Sequence, residues 1–131
     1  MEGARRIRRV FFTSGLAIAF PMGEMNLPQA SWDDVERVVL REFAPEQRDA
    51  VIALLKGYGG QEPNRVSLAI LKLSRGNVEA VRYNVKFANE DFRARLMVAE
   101  YPRASCDWDS PMTEQRIAED WREYQEWLHR E

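Results

Sequence analysis

Gly76–Pro102, GNVEAVRYNVKFANEDFRARLMVAEYP, is the stretch on which the fold turns. It is bracketed as a helix should be. Gly76 stops whatever precedes it, because glycine enters the left-handed region at little cost. Asn77 follows as an N-cap, its side chain placed to accept from the first free backbone N–H groups. Pro102 has no N–H to donate and biases Tyr101 away from the helical region. The expectation is one long central helix near residues 77–101. At about 100° per residue, Val78, Val81, Val85, Ala88, Phe92, Leu96 and Ala99 share one face. Tyr83, Phe87, Ala94, Val98 and Tyr101 fall almost opposite. Between the two stripes run Glu79, Arg82, Lys86, Glu90 and Arg93, at spacings that let them neutralise one another along a solvated face.

A surface helix ordinarily has one apolar face. Two faces mean a helix sandwiched inside a bundle, or one that offers its second stripe to a partner. The cover must come from the rest of the chain or from another chain.

Working back toward the N-terminus, three shorter helices are expected. Ser31 caps the first, with Asp34 at the capping-box position, and Val35, Val38, Val39 and Phe43 form its buried stripe. Pro45 opens the second, with Glu46 at its positive end and Val51, Leu54, Leu55 and Tyr58 facing inward. Pro63 opens the third. Val66, Ala69, Ile70 and Leu73 line one side of it and Leu68 and Leu71 the other, so it should be deeply buried. Beyond Pro102, a loop carries Cys106, Trp108 and Pro111, and Thr113 is the expected cap of a last helix. There Ile117, Trp121, Tyr124 and Leu128 recur as the seam of a docking helix, broadened by Trp127. This seam is the natural cover for Tyr83, Phe87 and Val98. Docking within the chain resolves the two-stripe problem, and docking on a second copy makes a swapped dimer. The predicted fold is therefore all-α, a single-domain bundle of about five helices over residues 31–131.

Residues 1–30 are an N-terminal arm or a targeting segment. Arg5, Arg6, Arg8 and Arg9 precede the apolar run Val10–Phe20, and residues 1–19 have the parts of a twin-arginine-like export signal, interrupted by Thr13, Ser14 and Gly15. The chain is expected to be cytoplasmic, with this apolar run packed on the body; export by such a signal is the alternative.

The whole chain of 131 residues is large enough to bury a core without disulfides or metal. Its formal net charge of −2 argues against a broad nucleic-acid footprint. The charge is uneven: residues 1–30 hold four arginines against two glutamates, and residues 105–131 hold eight acids against three arginines. Any electrostatic attraction is local to those ends. One cysteine, Cys106, excludes an internal disulfide and a cysteine-rich zinc site.

Catalysis needs convergent reactive groups, and none is legible. His129 stands near the terminus beside Leu128 and Arg130. Cys106 is flanked by Asp107, and Asp109 follows; acidic neighbours are not the electropositive setting of a reactive thiol. Asp107 and Asp109 lack the oxygen-rich loop that a hard cation requires. Gly57, Gly59 and Gly60 lack the Lys-Ser/Thr ending of a phosphate loop. No catalytic, cofactor or metal residue is expected. A helix-turn-helix reading of the second and third helices offers only Arg65, Ser67 and Lys72 for a groove.

From Arg65 to Pro102 the chain resembles a family of short, uncharacterised bacterial proteins. The shared pattern is Leu-Ala-x-Leu-Lys-Leu (Leu68–Leu73 here), a glycine turn (Gly76), then Ala88, Asp91, Phe92 and Arg93 within a long helix that ends Ala99-Glu100-Tyr101-Pro102. The resemblance implies an all-helical bacterial protein and brings no activity with it. Gly57-Tyr58 and Gly76–Ala80 are similar to parts of ubiquitin-associated three-helix modules. Here Lys56 replaces the expected methionine, the middle segment is longer and the last helix is twice the length.

The functional expectation is a small, non-enzymatic interaction protein of adaptor or regulatory type, self-associating or bound to another protein. Its partner-binding residues are Tyr83, Phe87, Val98, Tyr101, Trp121, Tyr124 and Trp127, since aromatic side chains on helices are common interface anchors. The alternative is a nucleic-acid-binding regulator that uses Arg5, Arg6, Arg8 and Arg9.

Overall fold

The structure, a computed structural model, describes residues 30–131. The arm and export signal read in residues 1–29, with Arg5, Arg6, Arg8 and Arg9, lie outside the described residues. The rest is all-α, as expected. Five helices follow in order: α1 (Trp32–Glu42), α2 (Pro45–Leu55), α3 (Pro63–Ser74), α4 (Val78–Glu100) and α5 (Thr113–Leu128), with a short 3-10 turn at Ala104–Cys106 between the last two.

Local signals set the helix ends. At α1, Ser31 and Asp34 form the reciprocal capping box: Ser31 Oγ accepts from the Asp34 N–H, and the Asp34 carboxylate accepts from the Ser31 N–H, both at 3.2 Å. Prolines open α2 and α3. At the end of α3, Arg75 and Gly76 both take positive φ, 51° and 77°. Gly76 also passes close to α1, where a Cβ would come 3.1 Å from the Glu42 carbonyl oxygen. Asn77 then caps α4 by accepting from the Ala80 N–H at 2.9 Å.

α3 is the centre of the molecule. Val66 through Leu71 are buried without a break, so both of its sides are covered. α1 supplies Val35, Val38 and Val39 against it with Phe43 just beyond, α2 supplies Val51 and Leu55 with Tyr58 just beyond, and α4 supplies Val81, Val85, Ala88, Leu96 and Ala99. Leu54 and Leu73 are only half-buried.

Two expectations are corrected. The first concerns α4, which is not one straight helix. Asp91 leaves the helical region (φ −155°, ψ 85°), so two helical segments, 78–90 and 92–100, meet at an elbow. Asp91 Oδ1 accepts from the Ala94 N–H at 3.2 Å and so caps the second segment. Aspartate competes well for backbone donors, which makes it a fit residue for the break. The second concerns α5. Thr113 is its first residue rather than its cap, with its hydroxyl donating to the Ser110 carbonyl at 2.7 Å and the Trp108 carbonyl at 3.0 Å. Nor does α5 cover the second stripe of α4, because Tyr83 and Val98 remain 61% and 43% exposed. It docks instead on α1 and the distal end of α4. Arg37 donates to the Leu128 carbonyl (2.7 Å) and Arg41 to the Trp127 carbonyl (2.8 Å). Two cations thereby complete the free carbonyls at the negative end of α5. Midway along α5, buried Asp120 accepts from the backbone N–H groups of Arg103 and Ala104 and holds the 3-10 turn in place.

Candidate functional site

Among the described residues, the elbow in α4 brings together exposed and half-buried rings from one segment and an arginine from the other. On the first segment, Tyr83 and Phe87 lie one turn apart, their ring centroids separated by 6.2 Å. Arg95, from the second segment, reaches back across the angle. Its guanidinium carbon sits 3.9 Å from the Phe87 ring centroid, and Nη1 donates to Asn84 Oδ1 at 2.9 Å. Asn84 is buried and donates to Ser74 Oγ at 3.1 Å, and that hydroxyl donates to the Ile70 carbonyl at 2.6 Å. The chain of hydrogen bonds fixes the elbow to the end of α3. Val98 stands one turn beyond Arg95, beside exposed Met97. The result is a pair of rings on the first segment with a partly desolvated cation from the second laid over one of them.

The structure divides the seven residues expected at a partner surface. Tyr83 and Val98 are exposed, and Phe87 is half-buried under Arg95. Tyr101 is buried, with its ring 5.9 Å from that of Trp108. Tyr124 and Trp127 are buried in the core, with their rings 5.5 Å apart, and Trp121 is half-buried on the same helix. Sequence reasoning passed over Arg95 and Asn84. A polar residue between Val81 and Val85, adjoining the core stripe, was the available signal for Asn84.

The other polar groups have structural work. Arg65 and Glu100 form a bidentate pair at 2.7 and 2.6 Å. Burial opposes the Arg65 charge, but the Glu100 carboxylate more than compensates and holds the guanidinium above its ordinary pKa. Ser67 is buried, Arg65 is committed to Glu100 and Lys72 is half-buried, so α3 offers no basic face to a nucleic-acid groove. A shallow depression of 530 Å³ is lined by Arg37, Leu40, Arg41, His129, Arg130 and Glu131, but Arg37 and Arg41 there already serve the carbonyls of α5. Cys106 is exposed, and its thiol lies 3.3 Å from the Pro102 carbonyl. Asp107 accepts from the Asp109 N–H in a local turn. Among the described residues no cluster of three or more His, Cys, Asp or Glu side chains is placed to hold a metal ion, and no helix is long and apolar enough to cross a membrane.

Two buried polar atoms among the described residues have no hydrogen-bond partner, Arg95 Nε and the Tyr124 hydroxyl. The Tyr124 hydroxyl is sealed from solvent. Burial, and then the Glu100 carboxylate, push its pKa above the ordinary 10.0. Tyr124→Phe is therefore expected to raise stability by about 1 kcal/mol at neutral pH, because it removes an unsatisfied hydroxyl without changing shape. The sign of the pH effect follows from linkage. A raised tyrosine pKa contributes stability that is intact below the unfolded value of 10.0 and lost as pH climbs toward the folded value. The advantage of Tyr124→Phe in denaturant unfolding should widen above pH 10. A variant less stable than wild type at neutral pH contradicts this account.

No protein-family model, curated protein or solved structure matches this chain. The geometry of the elbow is the whole basis for a functional reading.

Proposed function

We propose that this chain is a small, non-enzymatic interaction protein that binds a protein chain, a second copy of itself included, through the aromatic face of the α4 elbow. The observation that carries the reading is the exposure of Tyr83, at 61%, next to half-buried Phe87 and exposed Val98. Large apolar side chains left partly in water beside a partly desolvated arginine are the composition of an interface core. Tyr101, Tyr124 and Trp127 act in this reading as the support behind the surface rather than as contacts.

The test is a pair of surface substitutions, Tyr83→Asp and Val98→Asp. Both sites face solvent, so the folded chain should tolerate them, with melting temperatures within a few degrees of wild type. Each should weaken association at least tenfold, read as solution mass by light scattering over a concentration series and as chemical crosslinking to partner chains. Phe87→Asp is a poorer probe, because the new carboxylate would sit under Arg95 and form an ion pair. Association unchanged in both folded variants removes the elbow face from consideration.

A further inference from the structure

We propose that the elbow is a hinge: α4 straightens at Asp91 and exchanges residues 92–131 with a second copy, giving a domain-swapped dimer. This goes beyond the interaction surface described above and does not rest on it.

The first observation is a conflict between sequence and backbone. Sharp helix kinks normally coincide with proline, glycine or an inserted group. The residues around this break, Lys86–Leu96 (KFANEDFRARL), contain neither glycine nor proline and are mostly good helix formers. Only Asp91 leaves the helical region, and its φ of −155° is ordinary extended backbone. Returning that one residue to helical angles yields a continuous helix and restores hydrogen bonds that the break forfeits at the start of the second segment.

The second observation is where the tertiary contacts fall. Arg65–Glu100, Asn84–Arg95, Arg37 with Leu128, Arg41 with Trp127, and Glu42 with Trp127 each join a residue before Asp91 to one after it. All of them can re-form between two chains with the same partners. Along a straight helix, residues 84 and 95 would stand about 16 Å apart, so the Asn84–Arg95 bond cannot persist within one straightened chain. The 3.2 Å cap from Ala94 to Asp91 belongs to the bent form alone. The balance between closed monomer and exchanged dimer thus rests on Asp91 and on concentration.

Three variants isolate the hinge. Asp91→Ala removes the cap and favours the continuous helix. It is expected to tighten dimerisation roughly a hundredfold, from about tenfold per hinge with two hinges in each dimer. Asp91→Gly removes the same carboxylate but disfavours the continuous helix, so it should stay as monomeric as wild type. Asp91→Asn keeps a capping side chain and should also match wild type. Solution mass after refolding at high concentration reads all three.

Topology is read by complementation. Arg65→Ala and Glu100→Ala chains, both on the Asp91→Ala background, are refolded separately and together. In an exchanged heterodimer one native Arg65–Glu100 pair re-forms, and the other site loses both charges. The mixture should therefore melt well above either chain alone, whereas chains that do not exchange gain nothing from mixing. The proposal is overturned if Asp91→Ala stays monomeric, if Asp91→Ala and Asp91→Gly dimerise equally, or if mixing leaves the melting temperatures unchanged. Tyr83 plays no part in these contacts, so failure here leaves the elbow-face reading standing, and the reverse holds.

Discussion

Glu100→Ala is expected to destabilise the fold by about 3–5 kcal/mol, a large share of the stability of an ordinary domain. Glu100 is only 5% exposed, and both its oxygens are engaged by Arg65, at 2.6 and 2.7 Å. Removing the carboxylate leaves a guanidinium in a desolvated position with no counter-charge. Most of the loss is the cost of that orphaned cation rather than the worth of the pair. Removing both partners should therefore be far milder. Arg65→Met combined with Glu100→Leu trades the pair for apolar volume and is expected to lie within about 1 kcal/mol of wild type, or above it. Denaturant unfolding at neutral pH measures both. A single variant that costs less than the double one would mean that Arg65 swings out to water, and that the pair is a surface interaction with a buried appearance.

The same pair shows where sequence reading stops. Helix ends were legible because their chemistry is local. Ser31 with Asp34, Pro45, Pro63, Gly76 and Asn77 each act within a turn of where they stand, and each appears where its type predicts. The apolar stripes of α1 and α3 were legible because helical periodicity alone says which side turns inward. Two things were not. The break at Asp91 is decided by tertiary packing against a local preference for helix, and the capping side chain reads equally well as an ordinary exposed residue. The docking place of α5 was also hidden. Its seam says which face is buried but not against what, and Arg37, Arg41 and Glu42, which receive it, lie more than eighty residues away. Aromatic residues compound the ambiguity. Tyr83 and Trp127 carry the same signal in sequence, yet one is the most exposed aromatic of the elbow and the other belongs to the core. Burial, which separates an interface anchor from a core side chain, is a property of the assembled helices.

Trp127→Ala is the second large effect. Trp127 is 7% exposed, its indole N–H donates to Glu42 at 3.1 Å, its carbonyl accepts from Arg41, and the Arg41 guanidinium lies 5.3 Å from its ring centroid. Truncating a buried tryptophan costs about 3–5 kcal/mol through lost burial and the cavity left behind. Here the loss falls where α5 joins α1, at the α5 side of the shared core. The expected outcome is therefore graded. Backbone amides of α5 should lose hydrogen-exchange protection before those of α3, and global stability should fall by the amount above. Trp127→Phe keeps an aromatic ring but leaves Glu42 without its indole donor, so it should cost about 1–2 kcal/mol. If Trp127→Ala instead lowers protection equally throughout, α5 is as much a part of the folding unit as α3. The closed monomer would then have to unfold entirely before residues 92–131 change partners, and exchange would be slow at any concentration. If α5 opens alone, release of the terminal helix is the low-cost first step by which the elbow straightens.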